Sequence, residues 1–124
     1  MANKLLIMMT SGPDTPHRLG TPFIQAMAAA ALDYEALIVT TGDGTLLMKK
    51  GVAEHLTIKD GAGKSVLEFI RDAKKGGVKL YICSASLSLH DMTMDDLIPE
   101  VDGAMGAAKY TAVGLDDDCR VFCY

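Results

Sequence analysis

Basic residues are scarce and scattered. The longest basic runs are the pairs Lys49-Lys50 and Lys74-Lys75, and 12 Lys and Arg against 16 Asp and Glu leave a formal charge of −4. A nucleic-acid protein usually shows a basic stripe, and an anionic membrane surface attracts one, so neither nucleic acid nor membrane is an expected partner. Long apolar runs are missing as well. Leu5 to Met9 is too short for a signal-peptide core or a membrane span, and no lipidation motif stands at either end, so the chain reads as cytoplasmic. Cysteine is limited to Cys83, Cys119 and Cys123. An odd count in a reducing compartment points to free thiols, buried or reactive, rather than to a disulfide framework. No Gly-x-Gly-x-x-Gly fingerprint follows the first strand, and no His/Cys cluster has metal-ligand spacing, so no nucleotide cofactor and no metal are expected.

What remains is the composition of one globular domain spanning residues 1–124, with 49% hydrophobic and 23% charged residues. Lys4 to Met9 reads as a buried strand. Thr10-Ser11-Gly12-Pro13-Asp14 is a turn, after which Thr15 and Pro16 open a helix running to about Leu32. Glu35 to Thr41 is a second strand, ended by Gly42-Asp43-Gly44, with a short helix from Thr45 to Lys50. Ser65 and Glu68 form a capping box for a helix that Gly76-Gly77 stops. Val78 to Ile82 is a third strand, Val101 to Ala104 a fourth, and Cys119 to Tyr124 the last. A helix from Ser84 to about Met92 and another from Gly106, closed by Gly114, fill the gaps. Strands alternating with helices imply a mostly parallel, doubly wound five-stranded sheet, and the flavodoxin-like order 2-1-3-4-5 is the expectation.

In that order the ends of the first and third strands flank the switch-point crevice, where ligands bind in open α/β sheets. Ser11-Gly12 follows the first strand, and Cys83 ends the third. Cys83 also precedes a helix, whose N–H groups favour a thiolate. Its bland alternative is an inert buried thiol. Ser84 lies beside it, and His17, in the first turn after the crevice loop, is placed to reach it. His90 sits seven residues on, roughly 10 Å along a regular helix, and is out of reach of the sulfur. Cys119 and Cys123 fall on one face of a strand, about 13 Å apart, too far for a disulfide. Gly63-Lys64-Ser65 lacks the upstream glycine of a phosphate loop and reads as a loop and helix cap.

These residues resemble the DsrE/DsrF-like family of small sulfur-relay proteins, which includes the TusD type. The carriers of the likeness are Thr10-Ser11-Gly12 with Asp14, Thr41-Gly42-Asp43-Gly44-Thr45-Leu46-Leu47, Val78-Lys79-Leu80-Tyr81-Ile82-Cys83, and Asp95-Asp96-Leu97-Ile98 leading into Val101-Asp102-Gly103-Ala104-Met105. The resemblance implies a five-stranded parallel sheet and a homotrimer or hexamer. It implies that Cys83 carries sulfane sulfur as a persulfide or thiosulfonate, between rhodanese-like donors and TusA-like carriers. Such a carrier is a sulfurtransferase-like protein that needs no cofactor. The competing expectation is an oligomeric scaffold, or a subunit binding a small molecule or anion at the Ser11-Gly12 turn, with a structural Cys83.

Overall fold

The computed structural model describes residues 3–59 and 61–124. Eleven regular elements follow in order: β1 (Lys4–Met9), α1 (Thr21–Ala31), β2 (Glu35–Thr40), β3 (Thr57–Lys59), β4 (Ala62–Ser65), α2 (Val66–Lys75), β5 (Lys79–Cys83), α3 (Ser84–Leu89), β6 (Gly103–Met105), α4 (Ala107–Leu115) and β7 (Cys119–Cys123). Short 3-10 turns occupy Pro16–Arg18, Gly42–Met48, Ala53–His55 and Met94–Asp96. The main sheet has five strands, all parallel, in the order β6-β5-β2-β1-β7.

The sheet and its helical cover match the expected class, but the strand order does not. Counting only the five sheet strands, the order is 4-3-2-1-5 instead of 2-1-3-4-5. The reason is burial. Ala36, Leu37, Ile38 and Val39 are all buried, so β2 needs cover on both faces and a neighbour on both sides. The expected order would have left it at an edge. Instead Leu37 to Thr40 pair with Lys79 to Ile82 of β5, while β1 lies on the other side. Runs of apolar residues without alternation are the mark of such fully covered parallel strands.

This order sets the helix layers. Right-handed crossovers that step in one direction put their helices on one face, and the single return step puts its helix on the other. Residues of α1, α2 and α3 pack with Leu5, Ile7, Ile38, Leu80 and Ile82 in the larger core. Among the described residues only α4 covers the opposite face, where Tyr110 and Val113 lie against Leu6, Leu37, Val39, Met105 and Cys119.

Several elements start or stop away from their expected places. The first helix begins at Thr21, preceded by a 3-10 turn at Pro16–Arg18. Pro22 sits at its start, and a proline ring would clash with the carbonyl four residues back in a continuous helix. The last helix runs through Gly114 to Leu115. Ala62–Ser65, expected as a loop, is a strand paired antiparallel with Thr57–Lys59. Ser65 still caps α2, accepting a hydrogen bond from the Glu68 N–H at 3.2 Å. Val66, Ile70 and Ala73 form the buried stripe of that helix. Among the described residues no helix is long and apolar enough to cross a membrane.

Candidate functional site

Cys83 ends β5 and is the N-cap residue of α3. It is 4% exposed. Strand alternation sends it to the face covered by α4, where it pairs in register with Met105 of β6. Because β2 lies between β1 and β5, the ends of the first and third strands do not flank one crevice, and Cys83 is flanked by β2 and β6.

Its polar surroundings nonetheless suit an anionic sulfur. The Tyr110 hydroxyl of α4 lies 3.6 Å from Sγ. Burial by itself pushes the thiol pKa up, but hydrogen bonds from Tyr110, from the backbone N–H groups of Ala85 and Ser86, and from Thr41 outweigh it. The net direction is below the ordinary thiol value. Hydrogen bonds to the charged form of a group favour that form. Cys119 goes the other way: it too is buried, and there burial dominates and raises its pKa. All three cysteines are free thiols, and Cys123 is exposed.

The loop after β2 supplies Thr41 and is held against α3. The Gly42 N–H donates to the Ser86 Oγ at 2.9 Å, and Ser86 is buried. His90 Nε2 lies 3.0 Å from the Gly42 carbonyl oxygen and 3.5 Å from Asp43 Oδ1. His90 therefore buttresses the loop and does not touch the sulfur, as its spacing required. Gly12 abuts the same loop, since a Cβ on it would meet the Asp43 carbonyl oxygen at 2.7 Å.

The expected site residues separate into two places. Ser84 is exposed beside Cys83. Ser11 and His17 line a different cavity of about 350 Å³ with Arg18, Thr21 and Tyr124. That cavity opens at the ends of β1 and β7, two strands away from Cys83. Neither residue forms a hydrogen bond with Cys83 among the described residues. Three contributors, Tyr110, Ser86 and Thr41, carry no site signal of their own in the sequence. Thr41 stands in a family motif and Ser86 in the first turn of α3. Tyr110 lies 27 residues from Cys83, and only the strand order brings α4 over that face. Among the described residues no group of three or more His, Cys, Asp or Glu side chains is gathered to hold a metal ion.

Two solved structures share this fold along the whole chain. The YchN protein of E. coli superposes with a TM-score of 0.78 at 16% identity, covering 100% of both chains. MTH1491, a protein of unknown function from Methanobacterium thermoautotrophicum, superposes with a TM-score of 0.67 at 14% identity, again over 100% of both chains. No curated protein matches the sequence. The sequence model of the DsrE/DsrF-like family matches residues 3–118. That match spans nearly all of the described chain, including both loops and the strand end that build the Cys83 site; the protein belongs to the DsrE/DsrF-like family, a family linked in general to sulfur relay.

Proposed function

We propose that this protein is a cytoplasmic sulfur carrier that holds sulfane sulfur on Cys83 and passes it to partner thiols. The observation that carries the reading is the set of donors around Cys83 Sγ, which lowers the pKa of a buried thiol that burial alone would raise. A carrier needs a thiolate at working pH. In loading, the Cys83 thiolate attacks the outer sulfur of a donor persulfide. The donor S–S bond breaks, the donor leaves as its thiolate, and Cys83 becomes the persulfide. In unloading, a partner thiolate attacks the outer sulfur and Cys83 leaves as thiolate. The sulfur keeps its oxidation level throughout, so neither step needs a metal, a nucleotide or a redox cofactor. Rhodanese-like donors and TusA-like acceptors are the partners of this reading.

The carrier works as a homo-oligomer, a trimer or hexamer. Leu115, Val121 and Phe122, at 79%, 42% and 43% exposure, leave apolar surface around β7 that a monomer would keep in water. Light scattering at low micromolar concentration should return a multiple of the 13.2 kDa chain mass. A monomer mass would remove this part of the reading.

Incubation with polysulfide, thiosulfate or tetrathionate should add a reductant-sensitive adduct to the Cys83 peptide and leave the Cys119 and Cys123 peptides unmodified. The Cys83→Ser variant should lose the adduct while keeping its circular dichroism and assembly. The 4% exposure of Cys83 favours one rival, a scaffold with a structural cysteine. Equal loading in the variant, or none in the parent with every donor, would sink the carrier and leave that scaffold.

A further inference from the structure

We propose that Tyr110 is a positioning residue for the Cys83 sulfur, its hydroxyl donating a hydrogen bond that favours the anionic sulfur. The role deepens the carrier reading and rests on it for its use in sulfur transfer. A sulfur held as an anion is the attacking group when the carrier loads and the leaving group when it unloads.

The case begins with the place of Tyr110 in α4. No residue of this helix is buried. It covers an apolar hollow of about 250 Å³ lined by Leu6, Met8, Gly114 and Val121, among others. A phenylalanine at position 110 would fill that space as well as a tyrosine does. The hydroxyl has one hydrogen-bond partner among the described residues, and that partner is Cys83 Sγ at 3.6 Å. A neutral thiol is a weak acceptor that carries its own proton, whereas a thiolate accepts only, so the bond gains strength when the sulfur is charged.

Among the described residues, the other groups bonded to the sulfur are uncharged. The loop after β2 contributes the Thr41 hydroxyl, and α3 contributes the Ala85 and Ser86 N–H groups. Met105 of β6 pairs with Cys83 in register. His90 and Asp43, the charged groups of the adjoining loop contact, lie against each other and the Gly42 carbonyl. Tyr110 is thus the titratable side chain bonded to this thiol. The two groups move in opposite directions: the hydrogen bond with Cys83, then desolvation, raises the Tyr110 pKa, while Cys83 is lowered. A phenol that donates to a sulfur anion holds its own proton more tightly.

The test uses alkylation, which needs no sulfur donor. Iodoacetamide labelling of the Cys83 peptide is followed by mass analysis across the range from about pH 5 to about pH 10, which spans the ordinary thiol titration. Near neutrality Tyr110→Phe should react several-fold more slowly than the parent, because the thiolate fraction lost with one charge-assisted hydrogen bond outweighs the gain in intrinsic nucleophilicity. Its profile should be displaced to higher pH and meet or exceed the parent rate where both thiols are ionised. A variant that merely disturbed packing would change the rate at every pH without displacing the profile. Superimposable profiles, or a change of rate without displacement, overturn the proposal. A reciprocal measurement does not depend on that variant. In Cys83→Ala, tyrosinate absorbance should show one of the four tyrosines ionising at lower pH than in the parent, and an unchanged curve also overturns it. If these shifts occur in a parent that accepts sulfur from no donor, the carrier function falls and the role of Tyr110 in holding the sulfur stands.

Discussion

At the scale of single residues, the site depends on two loops pressed together backbone to backbone. A Cβ on Gly44 would lie 2.3 Å from the Met9 carbonyl oxygen, and the Thr41 N–H donates to that same oxygen at 3.0 Å. The loop that delivers Thr41 to the sulfur is therefore seated on the end of β1, with no room for a methyl group. Gly44→Ala should destabilise the fold by about 1–3 kcal/mol, the usual cost of overpacking, because the obstacle is a backbone oxygen that cannot rotate away. Gly103, on the strand paired with β5, is the control, since its Cβ would meet only Tyr81 Cδ1 at 4.0 Å. Gly103→Ala should stay within about 0.5 kcal/mol of the parent. Urea unfolding of the two variants decides the matter, and equal losses would show that the close approach at Gly44 carries no strain.

At the scale of elements, legibility followed how local each cause is. The cap of α2 was visible because Ser65 and Glu68 lie within one turn, and the hydrogen bond between them is present. Cys83 at the junction of β5 and α3 was visible for a similar reason: a β-rich run ends there and a helical run begins. The late start of α1 is also local, and Pro22 is its signal, but the Thr15-Pro16 pair upstream has the same composition as a helix start. Gly114 misled in the opposite sense. It sits inside α4, where a Cβ would approach Val121 Cγ2 at 3.2 Å and Leu6 Cδ2 at 3.4 Å, so its small size serves helix-to-sheet contact and does not end the helix. The β3–β4 hairpin was hidden by glycine. Gly61, between the two strands, and Gly63, inside β4, have φ of +69° and +84°, values open to glycine, yet such composition reads equally well as loop. Tyr110 could not be found at this scale at all, because its role comes from the face on which its helix lands.

At the scale of the whole molecule, the strand order decided what the sequence could not. The βα rhythm prescribes parallel pairing but leaves open which strand lies beside which. The clue was the unbroken buried run Ala36 to Val39, which belongs inside a sheet. That order makes β6 an edge strand of three residues paired only with β5, right beside the Cys83–Met105 pair. So short an edge needs help, and Asp102 provides it. Its backbone N–H donates to the Leu80 carbonyl at 2.7 Å. Its Oδ2 accepts from the Leu80 N–H at 2.8 Å and pairs with the Lys74 ammonium of α2. One carboxylate thus ties the lead-in to the edge strand to both β5 and the helix layer. Desolvation opposes its ionisation, but the Lys74 and Leu80 hydrogen bonds outweigh it and hold its pKa below the ordinary aspartate value. A carboxyl group depressed in the folded state stabilises the fold above its unfolded pKa, near 4, and that stability is lost as pH falls through the lower folded value. Asp102→Asn keeps the shape but replaces a charge-assisted acceptor with a neutral amide. It should lower stability by about 1–2 kcal/mol at pH 7. As pH falls from about 4 through the depressed folded value the two proteins should converge, because the parent then loses the same charge. Thermal or urea unfolding of both proteins across this range tests the claim. A stability difference that stays constant down to the acid end would show that Asp102 contributes through shape alone, and that the edge beside Cys83 is not fastened by charge.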